Sequence, residues 1–301
     1  MRIQKVVFSV SEPPLYSSYW NTHSKLCRLG LGVEPICLLF GKKSNTDMNE
    51  EYGKIIEMDL LPDIPWAIQL TMSKFYHTIS EPETTWMIGD IDLLPLQKHH
   101  FTTKIAPYPD DHYLCLNNSG IAMPRCGRPD AFTSLGSEVH GRRGGYIGCD
   151  LPAHYHVAKG YSFNNLYFQN RSFEDVVRNI YQADRYGMGF GANWPIEKKT
   201  EILPAFQGCG QFWWYWLAEE NYTSECLYNA IKANKVFYDG INYNNTAERI
   251  WEWDKGRNDY HYRPNFVAEG RIVDIHCCQV RPYALQAAAL ERIIDLSGML
   301  R

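Results

Sequence analysis

Apolar residues fall in short runs divided by turn-forming residues, and these runs alternate with stretches of helical spacing. Lys5 to Val10 predicts a strand, which Ser11-Glu12-Pro13-Pro14 breaks. Apolar positions at Tyr19, Leu26 and Leu29 then keep a helical period that closes at Gly30. Val33 to Phe40 and, after a polar loop, Ile55 to Leu60 predict two more strands. Ile64 to Ile79 reads as a helix with Pro65 in its first turn, where the absent N–H is no loss. Thr84 to Leu96 is a further apolar run that predicts a buried strand. The order β-α-β-β-α-β predicts an α/β fold: a mixed, mainly parallel sheet with helices on both faces. Further on, the pattern predicts strands at 112–119 and 151–160 and a helix from Ser172 to Tyr186, with Ser172 and Asp175 as a loose capping box. Glycine-rich 132–149 and 187–194 read as loops. Glycines before Phe212 open another helix, Gly270 to Tyr283 contains a strand, and Ala284 to Leu296 is an amphipathic helix.

Length and charge narrow the field. The 301 residues suffice for one large core, and a 45% hydrophobic, 21% charged composition is ordinary for a globular enzyme. With 30 basic against 34 acidic residues, net −4, nothing points to nucleic acid or an anionic membrane surface. No apolar run has the length of a membrane span, and the chain enters its first strand without a leader's apolar region. Nine cysteines are scattered without C-x-x-C pairs, which predicts a reduced, cytoplasmic protein with no disulfide framework. Twenty tyrosines and nine tryptophans suit sugar-stacking surfaces, and suit cores equally.

The strongest candidate chemistry is Asp90-Ile91-Asp92, at the end of the apolar run Thr85-Trp86-Met87-Ile88-Gly89. Alternation along a strand sends both carboxylates to one side and anchors Ile91 opposite. Two such charges repel, and a divalent cation with hard oxygen ligands relieves the repulsion. Gly89 allows a close approach to the backbone, and Pro95 excludes a central strand beyond it. Ligands of parallel sheets sit beyond the carboxyl ends of the strands, which puts Ser9-Val10-Ser11 and the aspartate pair on one rim. His154-x-His156 offers a second metal-ligand spacing. Against it stands the plainer reading that one of these rings packs, bonded, in the core.

The string Trp86-Met87-Ile88-Gly89-Asp90-Ile91-Asp92-Leu93 resembles the strand and D-x-D motif of glycosyltransferases with the GT-A (Rossmann-like) fold. The resemblance implies a single domain over 1–301, with a nucleotide-binding half at 1–96 and an acceptor-binding half at 97–301. It implies a divalent metal, Mn²⁺ or Mg²⁺, on Asp90 and Asp92, and a nucleotide-sugar donor, UDP-linked by expectation. The nucleoside would lie on Ser9, Val10 and Ser11, with Ile91 at the donor. Lys74, on the helix before the motif strand, is a candidate phosphate partner, with a solvated lysine as the plainer reading.

Three shorter matches extend the resemblance. His154-Tyr155 resembles the G-H-F/Y strand that faces sugar and acceptor, with Ala153 where glycine is common, and is preferred over the rival N-S-G match at Asn118-Ser119-Gly120. Gln211 matches a D-Q pair at a helix start, although Gly210 replaces the acid, and Trp213 is a candidate acceptor platform. His276 with Arg281-Pro282-Tyr283 is similar to the C-terminal H-x-x-G-x-x-K-P-W of glycogenin-like enzymes, one residue shorter and with Gln279 for glycine. It implies His276 as third metal ligand, which favours Mn²⁺ over all-oxygen Mg²⁺, and Arg281 as a bidentate phosphate grip. Retention of anomeric configuration is the favoured expectation. An inverting route would need a base, for which Asp150 and Glu219 are the candidates. The alternatives are a metal hydrolase on His154-x-His156 and a non-catalytic carbohydrate-binding protein.

Overall fold

The computed structural model describes residues 1–12, 14–118, 155–182, 218–242, 248–250, 264–277 and 287–301. Among the described residues, seven strands form one sheet in the order β3-β2-β1-β4-β7-β6-β8: β1 (Lys5–Ser11), β2 (Glu34–Phe40), β3 (Lys54–Met58), β4 (Thr85–Ile88), β6 (Tyr113–Asn118), β7 (His156–Lys159) and β8 (Tyr238–Asn242). Among these, β7 pairs antiparallel with both β4 and β6, and the other pairings are parallel. The fold is therefore mixed α/β with a mainly parallel sheet, as the strand and helix pattern predicts. Three further strands, β5 (Leu93–Pro95), β9 (Glu248–Ile250) and β10 (Ile272–His276), form a second sheet in the order β5-β10-β9.

Each face of the large sheet carries its own core, and the period of two along β1 shows why. Val6, Phe8 and Val10 enter one cluster with Trp20, Leu26, Ile91, Leu93, Leu94, Ile275 and Leu290. Val7 enters the other with Ile68, Met72, Phe75, Trp86, Ile88, Tyr113, Val176 and Tyr222. Strands buried on both faces read as unbroken apolar runs, which is why β1 and β2 were legible. The second core lies under the helices Trp66–His77, Phe173–Gln182 and Ala218–Lys232. Ser172 Oγ accepts from the Asp175 amide at 3.1 Å and so caps the middle helix as its sequence predicts.

Two expectations need correction. The run Thr84–Leu96 is two strands in different sheets: β4 stops at Ile88, Gly89–Asp92 turns, and β5 begins at Leu93. Apolar residues continue through the turn because both sides are buried, so composition does not mark the change of sheet. Pro95 sits on β5, an edge of the small sheet, where a strand proline is tolerated. The first helical segment is also broken, into Pro14–Ser17, Trp20–Lys25 and a wide π turn at Leu26–Leu31. Its left-handed terminus is Gly32 at φ 72°, not Gly30.

The described cysteines, Cys27, Cys37, Cys115, Cys226 and Cys277, form no disulfide. Among the described residues no helix is long and apolar enough to cross a membrane.

Candidate functional site

At the carboxyl edge of the large sheet, β1 ends in Ser11 and β4 ends one residue before Gly89. A Cβ on residue 89 would lie 2.3 Å from Phe8 Cε1, so glycine is required by the Phe8 ring packed there. The chain then reverses: the Leu93 amide donates to the Asp90 carbonyl at 3.1 Å. Ile91 is buried in the core below, while Asp90 and Asp92 are partly exposed at the rim. The side-chain disposition expected of the motif is thus produced by an anchored turn rather than by a continuing strand.

β10 brings the C-terminal motif alongside. His276 is the register partner of Leu93, and the Cys277 amide donates to the Asp92 carbonyl at 2.8 Å. The backbone of His276 therefore lies opposite the residue that follows Asp92, although 184 positions separate Asp92 from His276. The His276 side chain lies outside the described set. Among the described residues no three His, Cys, Asp or Glu side chains group closely enough to hold a metal ion.

Two side chains hold this turn that the motif reading did not identify as its supports. Lys74 is not a solvated lysine: its side chain is 3% exposed and its Nζ donates to Asp90 Oδ1 at 2.5 Å, with the Asp90 side chain 32% exposed. Such a charge-assisted bond orients the carboxylate as well as compensating its charge. His23, from the helix Trp20–Lys25, donates through Nδ1 to the Ile91 carbonyl at 2.9 Å, and its ring lies 4.3 Å from that of Phe8. Burial pushes its pKa down to about 4, outweighing the Ile91 bond and the carboxylates of Asp92, Asp90 and Asp274, which favour the charged ring. His23 is therefore neutral near pH 7. Asp274, fully buried on β10, adds a carboxylate the sequence reading passed over, because it sits inside an apolar strand. Spacing labels His23 and Asp274 as ordinary polar positions and offers Lys74 only as a phosphate partner; the bonds to Asp90 and to the Ile91 carbonyl show what Lys74 and His23 hold.

No family model matches the sequence, and no curated protein matches it. Solved structures do. The galactosyltransferase LgtC, solved with donor and acceptor sugar analogues, is 14% identical, with 98% of this chain and 95% of that one covered and a TM-score of 0.41. The glycosyltransferase GlyE of Streptococcus pneumoniae TIGR4 is 11% identical, with 100% of this chain and 62% of that one covered and a TM-score of 0.39. Both are glycosyltransferases. Likenesses at this level carry no argument about chemistry, which rests on the residues themselves.

The remaining candidates divide clearly. Ser9 and Ser11 lie on β1 at the rim, whereas the Val10 side chain is buried in the core and can offer only its backbone. Tyr155 is buried and presents no face to a sugar: its hydroxyl donates to the Leu93 carbonyl at 3.4 Å and its amide to the Ile88 carbonyl at 2.6 Å. Its φ of 60° is rare for a bulky residue and costs on the order of 1–3 kcal/mol, held by these ties between β4 and β5. His156 is also buried. Its Nδ1 shares a 2.6 Å hydrogen bond with the Tyr113 hydroxyl, and its ring meets the edge of Phe75 at 5.6 Å. That is the core histidine of the plainer reading. His154, Asp150, Gln211, Trp213 and Arg281 lie outside the described residues. Glu219 belongs to the helix Ala218–Lys232, with its side chain outside the described set.

Proposed function

We propose that this chain is a metal-dependent glycosyltransferase of the GT-A fold, moving a sugar from a nucleotide-diphosphate donor, UDP-linked, to a glycan or another hydroxyl acceptor. The observation that carries the proposal is the turn itself: two partly exposed carboxylates on a tied backbone at the carboxyl rim, with β10 ending beside them at His276. The donor set fits a divalent cation, since two hard carboxylates would share it with one imidazole, a combination that suits Mn²⁺ before Mg²⁺. When bound, the cation would offset charge on the diphosphate as the glycosidic bond breaks.

The chain's own residues do the rest. Asp90 and Asp92 hold the cation's side of the site, and Lys74 keeps the Asp90 carboxylate in one orientation. Ser9 to Ser11, with the Ile91 backbone, offer the nucleoside its place along the rim, and Arg281 grips phosphate. His154 and Trp213 are assigned to the acceptor side, and Gln211 to the transferred sugar. Tyr155 is reassigned to positioning, because its hydroxyl is spent on Leu93. Retention is favoured, with the leaving phosphate taking the acceptor's proton; under inversion Asp150 or Glu219 would act as base. Proximity of an ordered donor and acceptor supplies the remainder of the rate. The proposal treats 1–301 as one domain, with the nucleotide on 1–96 and the acceptor on 97–301, in a cytoplasmic setting.

A panel of sugar nucleotides assayed for nucleoside diphosphate release, with and without Mn²⁺, tests the proposal. Metal-stimulated release from a UDP-sugar is expected. Glycan binding that ignores nucleotide and chelator, with no release from any donor, would replace it with the non-catalytic reading. A second readout is binding: UDP with Mn²⁺ at ~100 times its Kd should stabilise the fold by ~2.7 kcal/mol.

A further inference from the structure

Three successive carbonyls across the D-x-D turn have partners from separate parts of the chain. Asp90 O accepts from the Leu93 amide at 3.1 Å, Ile91 O from His23 Nδ1 at 2.9 Å, and Asp92 O from the Cys277 amide at 2.8 Å. Two of these donors are backbone groups that any residue would supply. The middle one is a side chain, and it reaches across 68 positions of sequence. A carbonyl can only accept, so the hydrogen of the neutral imidazole is on Nδ1.

Packing fixes that ring. The Phe8 ring, on β1, has its centroid 4.3 Å from that of His23, and it also fills the space where residue 89 would carry a Cβ. One aromatic side chain therefore sets both the start of the turn and the imidazole that holds its centre. Ile91, itself buried, cannot shift without leaving the core.

We infer that His23 is a positioning residue for the acidic turn, its Nδ1–H holding the Ile91 carbonyl so that Asp90 and Asp92 present their carboxylates in one arrangement. The inference rests on the glycosyltransferase reading for what the turn binds, and His23 itself touches no substrate. Ligand constellations need their groups held within about 0.5 Å, which a loose turn does not provide. Supports of this kind cost about 10–100-fold in metal affinity when removed. Asp90 keeps its bond to Lys74 whether or not His23 is present.

The test compares His23→Leu with His23→Asn in the full chain, since the Asn amide places an N–H close to where Nδ1–H stands. Amide exchange, melting temperature and the affinity for Mn²⁺ alone are measured together. In the Leu variant the Leu93 and Cys277 amides should exchange faster while those of β2 keep their protection, and Mn²⁺ should bind about 10–100-fold more weakly. The Asn variant should recover most of both. A folded Leu variant with wild-type exchange at Leu93 and Cys277 overturns the inference, as does an Asn variant no better than Leu. If His23→Leu does not fold, His23→Gln replaces it, with the same local loosening expected because its amide sits one bond too far out. Absence of Mn²⁺ binding in the unaltered protein would defeat the metal reading instead, and the exchange data would still decide the role of His23.

Discussion

Two polar constellations lie along the large sheet, one at the D-x-D turn on its rim and one around His156 in the core under the helix Trp66–His77. At the turn, backbone and buried side chains satisfy the peptide groups and the carboxylates of Asp90 and Asp92 reach the rim. Around His156 the polar groups are spent on one another: Tyr113 Oη bonds His156 Nδ1 at 2.6 Å and Tyr167 Oη at 2.7 Å. Arg171 Nη2 donates to Tyr222 Oη at 3.0 Å, and Tyr222 Oη donates to the Tyr167 carbonyl. Burial pushes the Tyr113 and Tyr167 hydroxyls well above their ordinary pKa, so both stay protonated hydrogen-bonding groups. A motif with metal-ligand spacing is thus a core network in one case, and a pair of carboxylates is presented to solvent in the other. Spacing is common to both; what separates them is that one set of polar side chains is buried and the other is partly exposed at the rim.

The widest separation should come from Asp92→Ala. Under the proposed function it removes a charge from the metal's side of the site and should cost roughly 10³-fold in transfer, with the melting temperature nearly unchanged. Transfer at the full rate would end the metal assignment. His276→Ala extends the same test across the register to β10, and is expected to weaken the Mn²⁺ dependence of transfer sharply.

Lys74→Met comes next. Its ammonium is buried against Asp90, so the substitution keeps the bulk and removes the charge and donor. Misorientation of one ligand by about 1 Å is worth roughly 10²-fold in rate, and a loss of that size in transfer is expected. A variant with normal transfer would reduce Lys74 to a structural ion pair, like the buried polar groups around His156.

The same contrast explains what could be read from the chain before its structure. β1, β2 and the helix Trp66–His77 are bounded by proline, glycine and polar clusters, and their apolar spacing is strong, so their limits fall within two or three residues of those predicted. The aspartates stood out because two acids at the end of an apolar run demand an explanation. Of their supports, Lys74 stood out only as a candidate phosphate partner and His23 not at all. Lys74 and His23 lie on helices where a polar residue ordinarily faces water, and neither spacing nor composition encodes a partner 16 or 68 positions away. The break between β4 and β5 was hidden for the opposite reason, since Ile88, Ile91, Leu93 and Leu94 are all buried.

Tyr113→Phe should give the smallest effect and the sharpest control. It deletes one hydroxyl from a fully buried site without changing the ring that packs on Phe163 and His156. His156 and Tyr167 would each lose a hydrogen bond in a place water does not reach, and unmet polar groups of that kind cost about 1–3 kcal/mol. The expected outcome is a lower melting temperature, with transfer per folded molecule and Mn²⁺ affinity both at the level of the unaltered protein. A changed Mn²⁺ affinity would mean that the two constellations are coupled, through the antiparallel pair β4 and β7 or through the helix Trp66–His77 that touches both. Unchanged affinity alongside reduced stability would leave the His156 network as core and the acidic turn as the place where chemistry occurs.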